Sequence, residues 1–176
     1  MGMAATDYPE MPSVAEGKSI KISGTVLSDM VKRTIFAAAQ VEGTRPILTG
    51  INISVKDGIL QFVAIDGFRL AVRKQKTEIK ENFEFTATAR AVNEAVKLID
   101  EEETEVEIVV GKRMFLFNIN GYSFISRLLE GEFVNYEKIV PETYKENIIL
   151  DVSEFTDKVE RVSLLINDVF STPVRY

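Results

Sequence analysis

Ile51-Asn52-Ile53-Ser54-Val55-Lys56-Asp57-Gly58-Ile59-Leu60-Gln61-Phe62-Val63-Ala64-Ile65-Asp66-Gly67 reads as two strands and two turns. Ile51, Ile53 and Val55 alternate with Asn52, Ser54 and Lys56, which is the two-residue period of a strand. Asp57-Gly58 is a strong hairpin signal, because the tight turn that suits twisted strands needs positive φ at both central residues. The return run from Ile59 to Ile65 is nearly all apolar, as in a strand buried on both faces. Asp66-Gly67 then turns the chain into a third strand, from Phe68 to Lys74.

On the N-terminal side the period changes. From Thr25 to about Gln40 it is helical, with Leu27, Met30, Val31, Ile35 and Ala38 on one face and Asp29, Lys32 and Arg33 turned away. Gly43 and Pro46 close that helix, and a short alternating strand, Ser19 to Ser23, precedes it. On the C-terminal side Phe83, Phe85 and Ala87 alternate with Glu84, Thr86 and Thr88. A second helix follows, with Val92, Ala95, Val96 and Ile99 on its apolar face and Arg90, Glu94 and Lys97 on its wet side. Strands over 105–110, 113–119 and 122–128 come next, joined by Gly111-Lys112 and Asn120-Gly121.

The order strand, helix, three strands therefore occurs twice, starting near Lys18 and Asn82. It begins a third time near Glu146, so the starts are 64 residues apart. Ile148-Ile149-Leu150 is the strand of this third unit, Ser153 its helix N-cap, and Phe155, Val159, Val162 and Leu165 the apolar side of its helix. A fixed period means that each unit buries its apolar face against its neighbours. The expectation is an α+β domain of two βαβββ repeats over 18–141, with a connector or tail at 1–17. Residues 142–176 form the truncated start of a further domain, an incomplete third repeat too short to close a core of its own.

The 176 residues have ordinary globular composition, 45% hydrophobic and 27% charged. There is no cysteine and no histidine, which removes disulfides, thiolate zinc sites, a Cys nucleophile and Ser-His-Asp chemistry. No metal or cofactor is expected. No apolar run approaches the roughly 20 residues of a membrane helix, so a soluble cytoplasmic protein without membrane contact is expected. The net charge of −6 argues against a nucleic-acid partner only until its distribution is considered. The tails are acidic, whereas 18–141 carries seventeen acids and seventeen bases. Six of those acids crowd into 100–107, which leaves the rest of the segment basic.

Most short motifs dissolve on inspection. Gly17-Lys18-Ser19 has Pro12 where a phosphate loop needs glycine, and it precedes a strand instead of following one. Asn52-Ile53-Ser54 fits a glycosylation acceptor only by chance, and Asp66 beside Arg69 reads as a turn aspartate in preference to a catalytic pair. Two constellations remain. Lys32, Arg33, Arg90 and Lys97 sit on the polar faces of the helices, where such charges either solubilise or face phosphates. Leu48, Ile65, Gly67, Phe68, Leu70, Val134 and Ile139 gather at strand ends and turns, as core residues or as the lining of a shallow peptide groove.

Three blocks carry a family resemblance: residues 45–50 (RPILTG), 60–72 (LQFVAIDGFRLAV) and 126–141 (SRLLEGEFVNYEKIVP). In this order, inside this repeat, they resemble the bacterial sliding clamps, the beta subunits of DNA polymerase III. The resemblance spans essentially the whole chain and implies the clamp fold, with helices on one face and antiparallel sheets on the other. It further implies a head-to-tail homodimeric ring around duplex DNA, bound without regard to sequence, and a processivity role without catalysis. Partners would be the DNA polymerase III alpha subunit, the clamp loader and other clamp-binding peptides. By matching position, Leu48, Ile65, Gly67, Phe68, Arg69, Leu70, Val134, Lys138, Ile139 and Phe170 fall on the peptide groove, and Arg45 and Arg90 face DNA. Phe68 stands where many members have His, and Val134 where many have Pro. Since ring closure uses the first and third domains, this chain is not expected to encircle DNA. The rivals are a peptide-binding adaptor outside replication, which would lack basic helices, and a carboxylate hydrolase built on Asp66 and the acidic cluster.

Overall fold

The computed structural model describes residues 13–14, 17–40, 45–100 and 104–164. The chain divides into two compact units, residues 1–136 and residues 137–176.

The first unit contains both repeats. β1 (Lys18–Ser23) leads into α1 (Gly24–Lys32), then β2 (Gly50–Lys56), β3 (Ile59–Ile65) and β4 (Leu70–Lys76). β5 (Phe83–Thr88) leads into α2 (Ala89–Val96), then β6 (Glu105–Val110), β7 (Met114–Ile119) and β8 (Tyr122–Arg127). All pairing is antiparallel, in two four-stranded sheets ordered β1-β6-β7-β8 and β4-β3-β2-β5. Each sheet takes three strands from one repeat and the first strand from the other. The first strands are exchanged, so neither repeat closes alone, and burial of apolar surface is shared between them.

The inner faces of the sheets and the apolar faces of the helices form one core. Leu27, Met30 and Val31 from α1 and Ala91, Val92 and Ala95 from α2 meet Ile53, Phe62, Ile108, Phe115 and Phe117 there. α1 and α2 pack against each other, and between them they touch strands of both sheets.

Two turns follow their sequence signals closely. Asp57 and Gly58 have φ of 51° and 73°, and Asn120 and Gly121 of 48° and 80°, as two-residue hairpins require. The Asp66-Gly67 turn is longer than expected. The Asp66 N–H donates to the Arg69 carbonyl, so residues 66–69 all belong to the turn and β4 starts at Leu70, not at Phe68.

Helix α1 also departs from the expected range of Thr25–Gln40, stopping at Lys32 and followed by a single 3-10 turn, Ile35–Ala37. Thr34 ends it. Its hydroxyl donates to the Met30 and Val31 carbonyls at 2.8 and 3.4 Å, and its φ of −127° leaves the helical region. A side chain that competes for the helix's own carbonyls favours termination over continuation. Gly43 lies outside the described residues.

A 3-10 turn, Tyr136–Lys138, begins at the last residue of the first unit, and the second unit holds α3 (Val152–Ser163). Residues 148–150 do not form the expected strand. In this fold the first strand of a repeat pairs only with a strand of another repeat (β1 with β6, β5 with β2), and no such partner faces 148–150 among the described residues. The N-cap is Asp151, not Ser153: its carboxylate accepts the Glu154 N–H at 2.9 Å. Phe155, Val159 and Val162 line up on α3 as expected and are exposed, while Leu165 lies outside the described residues.

Candidate functional site

The registers of the second sheet bring most of the groove candidates to one end. Asn52 pairs with Val63 and Ile65 with Leu70, so the start of β2, the end of β3 and the start of β4 lie side by side. Gly50 at that end pairs with Thr88 of β5. Leu48 enters the same end from the 3-10 turn Pro46–Thr49, its carbonyl accepting the Ala39 N–H at 2.9 Å. Ile65 is buried, Leu48 and Leu70 are half-buried, and Phe68, at the tip of the turn, is 98% exposed.

The turn that presents Phe68 is braced by side-chain hydrogen bonds. The Asp66 carboxylate accepts the Arg69 and Phe68 backbone N–H groups at 2.8 and 3.0 Å with one oxygen, and the Arg69 guanidinium at 2.7 and 3.0 Å with the other. Gly67, with φ of 92°, completes the bend. These amides, Arg69 first and then Phe68, and after them the guanidinium, lower the Asp66 pKa to about 2. Asp66 and Arg69 therefore form a structural clamp on the turn. A depressed carboxyl contributes stability that is present above its unfolded value, near pH 4, and disappears as pH falls through about 2. Carboxyl carbon shifts recorded by NMR between pH 5 and pH 1.5 should move for Asp66 only toward the bottom of that range. A midpoint near 4 would disprove the clamp.

The segment after β8 is tied to the same sheet. Leu128 bridges to Ala87, its N–H donating to the Arg113 carbonyl, and the Leu129 N–H donates to the Thr86 carbonyl. The segment then crosses the outer face of the second sheet to Tyr136, whose hydroxyl donates to the Gln61 side-chain carbonyl at 2.9 Å. Val134 is half-buried on this strap. Asn52, Ser54, Val63, Ile65 and Thr86, all pointing away from the main core, are nonetheless buried on the face to which the strap is anchored at Thr86 and Gln61. Alternation in β2 alone does not distinguish such covered polar positions from solvated ones. The apolar run of β3 was the signal that something lay over its second face. Lys138 and Ile139 belong to the second unit and are exposed, and Phe170 lies outside the described residues.

All five basic candidates, Lys32, Arg33, Arg45, Arg90 and Lys97, are exposed. They are not equivalent. Arg33 donates to Asp29 at 2.5 Å, and Arg73 of β4 donates to the same carboxylate at 3.0 Å, which ties α1 to the sheet. The Arg33 hydrogen bond is the main cause of a lowered Asp29 pKa. Lys97 pairs with Glu94 at 2.7 Å. Lys32, Arg45 and Arg90 have no ion-pair partner among the described residues. Two members of the acidic cluster are engaged structurally, and Glu101, Glu102 and Glu103 lie outside the described residues. Glu105 pairs with Lys21, and Glu107 accepts from Ser19 and Asn118 across three strands. Among the described residues, no three acids gather as metal ligands, and no helix is long and apolar enough to cross a membrane.

Comparison with known proteins gives one consistent match. Residues 21–135 fit the family described as DNA polymerase III beta subunit, central domain. The beta sliding clamp of Bacillus subtilis is 34% identical over 169 residues, covering 95% of this chain and 44% of that protein. The crystal structure of the B. subtilis clamp superposes with a TM-score of 0.88 at 32% identity, over 94% of this chain and 44% of that one. The Pseudomonas aeruginosa clamp, solved bound to griselimycin, gives 0.84 at 26% identity over 92% and 44%. The chain thus spans less than half the length of these relatives.

Proposed function

This chain belongs to the DNA polymerase III beta subunit family, the sliding clamps, and from that premise we propose that it serves polymerase processivity by docking partner peptides in the apolar crevice of its second sheet. The observation that carries the reading is the meeting of Leu48, Ile65 and Leu70 at one sheet end beneath a wholly exposed Phe68 on a locked turn. A large aromatic held in water on a rigid loop retains its full burial energy for a partner, without an added ordering cost. The occupants would be short segments of the DNA polymerase III alpha subunit and of the clamp loader.

In the whole protein, the helices would face duplex DNA inside a homodimeric ring in the cytoplasm. Lys32, Arg45 and Arg90 supply charge toward phosphates, a contribution that is independent of sequence and sensitive to salt. Arg33 and Lys97, already paired, contribute less. Tethering keeps the local concentration of a dissociated polymerase high, so re-engagement wins over escape. The role is non-catalytic: Asp66, the best-placed carboxylate of the crevice, is occupied by the turn it holds. The free cations on the helices favour this reading over an adaptor outside replication.

Fluorescence anisotropy with a labelled alpha-subunit peptide tests the crevice. Saturable binding is expected for this chain, with a loss of at least tenfold in affinity when Leu48 and Leu70 are both changed to alanine, since each truncation removes about 1 kcal/mol or more of apolar contact. Equal affinity in the double variant rejects the crevice as the docking site.

A further inference from the structure

Three residues outside the crevice converge on the strap that walls it. The Tyr136 hydroxyl donates to Gln61 in the middle of β3, 75 positions earlier in the chain, at 2.9 Å. The ammonium group of Lys74 on β4 stands 5.8 Å from the centre of the same ring. Neighbouring strands thus grip one aromatic side chain, from its edge and from its face. At the opposite end of the strap, Leu128 and Leu129 are tied by backbone hydrogen bonds to Arg113 and Thr86. Between these anchors, residues 130–135 show no hydrogen bond of the strap to the sheet among the described contacts, and Val134 lies in this span.

We propose that Tyr136, Gln61 and Lys74 form a clasp that positions the strap, and with it the Val134 side of the docking crevice, so that all three set peptide affinity without touching the peptide. This rests on the crevice reading above. A segment tied at only one end retains the freedom of an open loop, and that freedom must be lost again when a peptide packs on it. Fixing the second end at Tyr136 removes that loss in advance. The phenol is suited to the task because its ring covers apolar sheet surface while its hydroxyl reaches a polar partner, and a lysine over the ring face adds a cation–π attraction. Gln61 is the one polar side chain in the otherwise apolar run from Ile59 to Ile65, and the clasp gives it a purpose that strand packing does not.

The test uses Tyr136→Phe, which removes only the hydroxyl, and Gln61→Leu, alone and combined. Backbone 15N order parameters over residues 130–135 should fall clearly in either variant, while those of β2 and β3 stay unchanged. Affinity for the labelled alpha-subunit peptide should fall roughly three- to tenfold, the scale of one lost hydrogen bond. The double variant should be no weaker than the worse single one, because the two residues share a single interaction. Unchanged strap order parameters in Tyr136→Phe overturn the clasp whatever the peptide does. If Leu48→Ala with Leu70→Ala abolishes binding while Tyr136→Phe leaves it intact, the crevice stands and the clasp falls. If Tyr136→Phe loosens the strap and the Leu48/Leu70 double variant still binds normally, the crevice reading itself fails, and the clasp's role in docking fails with it.

Discussion

Phe115→Ala should lower the stability of the first unit by about 3–5 kcal/mol, among the larger costs any single truncation can have. Phe115 lies on β7 and is fully buried. Its ring centre is 5.9 Å from that of Phe85 on β5 and 5.1 Å from that of Phe117, and Phe83 continues the row at 6.1 Å from Phe85. The Phe85–Phe115 contact crosses from one sheet to the other, so alanine at 115 leaves a cavity between the two sheets. The lost aromatic pairs add to the loss of apolar burial. Urea denaturation followed by far-ultraviolet circular dichroism should show a lower midpoint with an unchanged slope. Phe36→Ala is the control: Phe36 is about half exposed, and its loss should cost far less. A cost below about 1 kcal/mol for Phe115→Ala would mean that the aromatic row does not hold the sheets together.

The repeat architecture was readable because each of its signals is local. Asp57-Gly58 and Asn120-Gly121 dictate turns through their own backbone preferences, and alternation in β5 or β6 needs no knowledge of a partner. The boundaries that moved depend on side chains acting at a distance or against the helix ladder. Thr34 looks helical in a window of apolar residues, yet its hydroxyl competes for carbonyls and ends α1. Asp66 looks like half of a two-residue turn, yet it captures two amides and lengthens the loop. Ile148-Ile149-Leu150 has the composition of a strand, but a strand requires a neighbour, and composition does not supply one.

The proposed docking residues were legible in a different way. Leu48, Ile65, Phe68 and Leu70 lie within 23 residues of sequence, and the β3–β4 register sets Ile65 opposite Leu70 across the turn that carries Phe68. The basic residues could be assigned to helix faces, but their availability could not be read, because Asp29 reaches across to Arg73 on β4 only in the folded chain. The strap was invisible to periodicity for a related reason. Its residues follow no repeat, and its anchors, Thr86, Gln61 and Lys74, are contributed by three different strands. Only the doubly apolar run of β3 hinted at a cover.

That cover makes Gly50→Ala the substitution expected to couple fold and docking most directly. The backbone of Gly50 is ordinary, with φ of −110°, so the requirement for glycine is one of space. A Cβ there would stand 2.5 Å from Leu129 Cδ1, 2.6 Å from the Ala87 carbonyl oxygen and 2.8 Å from Thr86 Cγ2. Leu129 can rotate away, but the Ala87 carbonyl belongs to β5, the neighbour of β2 in the sheet, and is far harder to move. Relief must come through separation of β2 from β5 or displacement of the strap at Leu129, and overpacking of this kind costs about 1–3 kcal/mol. Because the strap carries Val134, the same displacement should weaken binding of the alpha-subunit peptide at least tenfold. Gly121→Ala separates the two effects: with φ of 80° and no atom within 4 Å of its Cβ, it should cost about 1–2 kcal/mol through backbone strain alone and leave peptide affinity unchanged. If Gly50→Ala loses stability to the same degree as Gly121→Ala and still binds peptide with full affinity, the strap is not a wall of the docking crevice.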